Sequence, residues 1–196
     1  MNAYGDKDAG AAGVLLHGRG ATAQSILGLD DQIENKDIYY IAPQAETQEW
    51  IQNSFMKPIE ENKPELDQAL ETVEGCVEYL QEEEYETEDI FLVGFSQGAC
   101  LVTEYAARNP QKFKAVIGLS GGLIGPEGTK FDYSGDMGNT SVFLGCSEKD
   151  PHIPKSRADE TAEALEGLNA EVEKRIYSGS FHGIVEDEIN WINQRI

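Results

Sequence analysis

Short apolar runs alternate along the whole chain with longer amphipathic segments, and this alternation restricts the fold more than any other feature of the sequence. Val14–Leu16, Ile38–Ala42, Ile90–Val93, Ala115–Leu119, Ser141–Cys146 and Val172–Tyr177 are short, rich in β-branched or aromatic residues, and mostly apolar on both faces. Runs of that kind suit strands of a parallel sheet that is covered on both sides. Between them, Pro64–Gln81 places Leu66, Ala69, Leu70, Val73, Val77 and Leu80 at three- and four-residue spacing, with Pro64 suited to a first helical turn. Gln97–Arg108, Lys155–Leu168 and Val185–Gln194 are expected as further helices. The alternation predicts an α/β fold, a doubly wound and mostly parallel sheet with helices on both faces. A chain of 196 residues with 40 % hydrophobic content fits one core. No repeat or linker interrupts it, so a single domain over residues 1–196 is expected, with residues 1–12 as a short polar N-terminal extension.

Charge limits the partners. There are 36 acidic against 15 basic residues, a formal net charge of -21, and a field of that sign repels nucleic acid and anionic membrane surfaces. The acids lie along expected helix faces, among them Glu71, Glu74, Glu78, Glu160, Glu163 and Glu166, rather than in one tail. Folded elements therefore carry the charge, as in a salt-adapted protein whose self-repulsion molar salt would screen; an ordinary acidic protein is the alternative. No run approaches the roughly twenty apolar residues of a membrane span. The polar, acidic start lacks the pattern of a secretion signal, so a cytoplasmic location is expected and no membrane insertion. Cys76, Cys100 and Cys146 are far apart and form no metal-ligand pattern, which predicts buried free thiols and no metal. Composition leaves the oligomeric state open between a monomer and a weak homodimer.

In open α/β sheets, ligands meet the protein at the carboxyl ends of the strands. Gly94-Phe95-Ser96-Gln97-Gly98 stands there, after the run Ile90–Val93 and before an expected helix. A serine between two glycines at such a junction can sit on a sharp, strained turn with its hydroxyl above the sheet, and the helix start offers the Gln97 N–H as an oxyanion donor. Gly118-Leu119-Ser120-Gly121-Gly122 fits the same pattern, but the residues after it, Leu123 to Gly128, have no helical period. Ser96 is thus the candidate nucleophile, and Ser120 is expected to line the site or to satisfy backbone near it.

A serine hydroxyl needs a base, and the base needs an orienting carboxylate. Asp150 follows the run Ser141–Cys146 in a polar turn, and His182 tips the loop after Val172–Tyr177, so the order is serine, acid, histidine. Glu148 is the rival acid. Of the other two histidines, His17 precedes the nucleophile and His152 is too near Asp150 in sequence to be oriented by it across a site. Leu16-His17-Gly18-Arg19-Gly20 follows the first run, where its glycines let backbone approach a substrate; the Arg19 N–H is the expected second oxyanion donor. A plain glycine turn is the alternative there.

Taken together, Leu16-His17-Gly18-Arg19-Gly20, Gly94-Phe95-Ser96-Gln97-Gly98-Ala99, Leu119-Ser120-Gly121, Asp150-Pro151-His152-Ile153-Pro154 and Phe181-His182 resemble the phospholipase/carboxylesterase family of α/β-hydrolases, which includes the acyl-protein thioesterases. The resemblance runs from about Val14 to the C-terminus and implies an α/β-hydrolase, while the short chain, unlike the family, leaves room for little or no lid. The resemblance also implies a Ser96–His182–Asp150 triad, cofactor-free acyl-enzyme chemistry, and a small-molecule ester or thioester as substrate. The family usually carries Trp-Phe-Asp after the second of these strands; here Trp50-Ile51-Gln52 stands instead. Trp50, Phe55, Met56 and Ile59 could line an acyl pocket or could pack their loop onto the body. A non-enzymatic binding protein on the same scaffold is the competing expectation. A nucleotide binder is weaker still, because no glycine-rich loop carries a P-loop lysine.

Overall fold

The computed structural model describes all 196 residues. A short strand, β1 (Asn2–Tyr4), opens the chain, and the apolar runs become β2 (Ala11–Leu16), β3 (Ile38–Ala42), β4 (Ile90–Phe95), β5 (Ala115–Leu119), β6 (Ser141–Ser147) and β7 (Glu171–Tyr177). The amphipathic segments become α2 (Glu65–Glu82), α3 (Gln97–Arg108), α4 (Lys155–Glu166) and α5 (Glu186–Asn193), preceded by a short helix, α1 (Ala23–Leu27). Two elements depart from the expectation. Residues 1–12 are not merely a polar extension: they supply β1, which pairs antiparallel with β3, and the first residues of β2. Helix α1 has a sequence signal after all, because Thr22 caps it and Ser25 returns the bond in a reciprocal capping box.

The sheet order is β1-β3-β2-β4-β5-β6-β7. Every pair from β3 to β7 is parallel. The chain places β3 on one side of β2 and then crosses to place β4 on the other. The loops leaving β2 and β4 therefore diverge, and a crevice opens between their carboxyl ends.

Strands β2, β3 and β5 are buried at every residue, as strands covered on both faces must be. Helices α2, α3 and α4 cover one face over a core of 39 buried residues, and α1 and α5 cover the other over 19. The thinner layer depends on large side chains: Trp191 of α5 lies against Phe143 of β6, ring centroids 4.9 Å apart. Both sheet edges are blunted against further pairing. β1 is three residues long, and β7 carries Glu171, Glu173, Lys174 and Arg175. No helix is long and apolar enough to cross a membrane.

Candidate active site

The junction of β4 and α3 is built so that Ser96 cannot relax. Its backbone has φ 55° and ψ -118°, a conformation that costs a non-glycine residue of order 1–3 kcal/mol. The glycines around it are required by contact. A Cβ on Gly98 would lie 2.1 Å from the Leu16 carbonyl oxygen, and one on Gly94 would lie 2.2 Å from the Gly98 carbonyl oxygen. Strand pairing holds the turn in place, since the Ser96 N–H donates to the Leu119 carbonyl at 2.9 Å.

Three of the expected site residues meet. Ser96 Oγ lies 2.8 Å from His182 Nε2, and His182 Nδ1 lies 2.8 Å from Asp150 Oδ2. The Asp150 side chain is fully buried. Burial works to raise its pKa, but the His182 bond and the backbone N–H groups of His152 and Ile153 on Oδ1 outweigh that and hold it below its ordinary value. An ionised carboxylate can only accept, so Nδ1 carries the hydrogen and Nε2 turns its lone pair to the Ser96 hydroxyl. Glu148, the rival acid, is exposed and takes no part; its N–H pairs with the Tyr177 carbonyl.

The loop bearing His182 is fastened at both ends. The Ser147 hydroxyl donates to the Phe181 carbonyl at 2.6 Å, and the Lys149 N–H donates to the Gly179 carbonyl at 3.1 Å. At the far end, Glu188 Oε2 accepts the Val185 N–H at 2.9 Å. Glu188 is buried against Gly145, and burial pushes its carboxyl up to about 7.

The other wall comes from the loop after β2 and the long connection after β3. His17 is fully buried, and burial lowers its pKa. The Ala45 N–H can only donate, so Nε2 of His17 accepts it at 3.2 Å and Nδ1–H donates to the Gly18 carbonyl at 2.8 Å: a neutral imidazole joining the two loops. The Trp50 indole N–H donates to the His17 carbonyl at 2.9 Å. Arg19 donates to the carbonyls of Ile51, Gln52 and Asn53, while the Gln97 side chain bonds both the Trp50 N–H and the Ile51 carbonyl. The backbone N–H groups of Arg19 and Gln97 have no protein acceptor.

These walls enclose a cleft of about 500 Å³ lined by Ser96 and His182 together with Arg19, Phe55, Phe95 and His152 among others. Of the four residues considered for an acyl pocket, Phe55 alone lines it; Trp50 is buried behind, and Met56 and Ile59 pack on the core. Ser120 is buried at the end of β5, its N–H on the Gly145 carbonyl at 2.7 Å, and it neither lines the cleft nor bonds a histidine. All three cysteines are buried and free. Burial pushes the Cys76 thiol up to about 11 and those of Cys100 and Cys146 up to about 12, which makes them packing residues rather than thiolates.

Sequence reading passed over the side chains of Arg19, Gln97, His17 and Glu188. Their roles depend on bonds to distant backbone, and a residue's type does not announce such a partner.

This sheet, with a strained serine at the β4–α3 turn, a carboxylate after β6 and a histidine after β7, defines an α/β-hydrolase of the esterase type. Residues 3–196 match the family model for Phospholipase/Carboxylesterase, and the chain belongs to that family, whose members are serine hydrolases. It is similar to a phospholipase/carboxylesterase of Dyadobacter fermentans DSM 18053, with 40 % identity and a TM-score of 0.94 over 98 % of this chain and 93 % of that one. A Bacillus cereus carboxylesterase shares the fold at 17 % identity, with a TM-score of 0.77 over 98 % of this chain and 91 % of that one. Acyl-protein thioesterase 1 of Saccharomyces cerevisiae is 27 % identical over 124 residues, 62 % of this chain and 54 % of that protein, so the match spans about half of that relative's length.

Glu188 gives the fold a pH dependence with a definite sign. A carboxyl whose folded pKa is about 7, against roughly 4.3 in an unfolded chain, binds its proton more tightly when folded. Its contribution is fully present below the unfolded value and is lost as pH rises through the folded one. Glu188→Gln removes that loss. Melting temperatures of the two proteins should diverge in favour of the variant between about pH 4.5 and pH 7.5 and run parallel above about pH 8; curves parallel throughout would contradict it.

Proposed function

We propose that this esterase hydrolyses small carboxylic esters or thioesters through an acyl-enzyme on Ser96. The observation that carries the reading is the unbroken hydrogen-bonded line from Asp150 through His182 to the Ser96 hydroxyl. In this reading Ser96 Oγ attacks the carbonyl carbon while His182 Nε2 takes its proton. Asp150 fixes the imidazole tautomer and stabilises the imidazolium. The carbonyl oxygen, now an oxyanion, sits on the Arg19 and Gln97 N–H groups; the latter lies at the start of α3, where the helix dipole adds to its pull. As the tetrahedral adduct collapses, the carbon–oxygen or carbon–sulfur bond to the leaving group breaks and His182 returns the proton to it. Water then attacks the acyl carbon from the same side and gives a proton to His182, which passes it to Ser96 Oγ as the acyl–oxygen bond breaks, releasing the acid and free Ser96.

The chain's own groups supply every step of this reading, which calls on no cofactor or metal. The field of a -21 chain favours an uncharged small molecule over nucleic acid or an anionic surface. We also read the chain as one domain working in the cytoplasm of a salt-adapted organism, on the strength of acids spread over its folded helices.

Ser96→Ala should lower kcat/KM on p-nitrophenyl esters by at least about 10⁴-fold with the melting temperature nearly unchanged, whereas Ser120→Ala should stay within about tenfold of the parent. Comparable losses in both, from folded protein, would defeat the reading. The charge makes its own prediction: raising KCl from about 0.1 M to about 2 M should raise the melting temperature by several degrees, because screening removes self-repulsion at these ionic strengths. A flat or falling response would remove the case for salt adaptation.

A further inference from the structure

The His182 imidazole has two ring neighbours. Phe95 lies with its ring centroid 5.0 Å from that of His182, and His152 lies at 4.9 Å, nearly perpendicular at 77°. All three line the cleft with Ser96. The backbone of His152 is fixed, since its N–H donates to Asp150 Oδ1 at 2.8 Å. Its side chain is different: it is exposed, and neither ring nitrogen has a partner in the protein. The cleft thus presents one imidazole that works on Ser96 and, beside it, a second whose hydrogen-bonding capacity is unspent.

The direction of the reaction says which part of a substrate meets this second ring. Under the Ser96–His182 reading proposed above, on which this inference rests, Nε2 must hand its proton to the leaving oxygen. The leaving alcohol therefore lies against Nε2, within reach of the two rings that neighbour it in the cleft. One of these is the apolar Phe95 and the other is His152. A neutral imidazole offers one donor and one acceptor nitrogen, and a hydroxyl group offers one of each. A plain alkyl alcohol would cover the imidazole and displace its water with nothing in exchange, while an anionic alcohol would approach against the chain's net charge of -21. Gln52, Asn53 and Ser54 add further polar lining. An uncharged, hydroxylated leaving group satisfies all three conditions.

We infer that His152 is a specificity-determining residue that hydrogen-bonds a hydroxyl on the alcohol portion of the substrate, so that the site takes esters of short hydroxylated alcohols in preference to those of plain alkyl alcohols. The bonds made and broken are those of the hydrolysis above; His152 exchanges hydrogen bonds and transfers no proton.

Two near-isosteric esters test it, 2-hydroxyethyl butyrate and propyl butyrate. Their kcat/KM values are followed by acid release at one fixed pH, and each is normalised to its hydroxide-catalysed rate. The wild-type enzyme should favour the hydroxyethyl ester by roughly tenfold, about one net hydrogen bond. His152→Leu should bring that ratio to about one, and His152→Gln, which keeps a donor and an acceptor, should restore most of it. A residue that merely supported His182 would lower both rates alike and leave the ratio alone. A wild-type ratio of about one, or a ratio unchanged in His152→Leu, overturns the assignment. Ser96→Ala assayed on the same esters separates the two claims: loss of both activities beside a flat wild-type ratio removes the role of His152 alone, whereas retained activity removes the serine mechanism beneath it.

Discussion

The close approach of α3 to the end of β2 is the contact on which the rest of the site depends. The helix begins where a Cβ at its second residue, Gly98, would strike the Leu16 carbonyl oxygen, so the chain must turn from β4 into α3 within a single residue. That residue is Ser96, left with a positive φ and a hydroxyl that clears the sheet. The same approach brings Gly18, in the loop that leaves β2, against Phe95 and Ser96 at the turn into α3. The strain at Ser96 is balanced by burial around it. β4 and β5 are among the most deeply covered strands, and each CH₂ they bury contributes about 0.8 kcal/mol.

Loops with no regular structure surround this junction, and polar side chains hold them. Arg19 and Gln97 satisfy the carbonyls of residues 51–53, and His17 joins the loop after β2 to the one after β3. Arg157, fully buried on α4, donates to the carbonyls of Leu123, Gly125 and Pro126. The Gly125 N–H in turn donates to the Phe55 carbonyl, which ties that segment to the cleft wall. The buried bonds from the charged Arg157 to Leu123 and Gly125 are worth about 1.5–3 kcal/mol each. Together these side-chain bonds tie the walls of the cleft to the body of the fold.

The fold and the three side chains that meet at Ser96 were legible in the sequence because each rests on a local pattern. The apolar runs gave β2 to β7 to within a few residues, since strands buried on both faces leave little freedom in composition. Ser96 was separated from Ser120 by the segment after each, helix α3 against an aperiodic loop, and Asp150 and His182 by their places after β6 and β7. β1 was not legible, because three exposed residues at a sheet edge carry no apolar signature. Nor was the part played by Trp50, which faces His17 instead of the cleft, or by His152, excluded as a triad base by its nearness to Asp150 yet brought to the rim of the site by that same nearness. What sequence spacing misses here is long-range hydrogen bonding, which is decided by three-dimensional neighbours and not by residue order.

The central claim is that the His182 and Asp150 side chains make Ser96, and no other hydroxyl of this chain, a nucleophile. Covalent labelling by a fluorophosphonate, located by peptide mass mapping, tests it most directly, because the reagent traps an activated serine whatever the natural substrate is. The account predicts one adduct per chain, on Ser96, formed at a rate that collapses in His182→Ala. An adduct on Ser120, or labelling of Ser96 that is indifferent to His182, would contradict it.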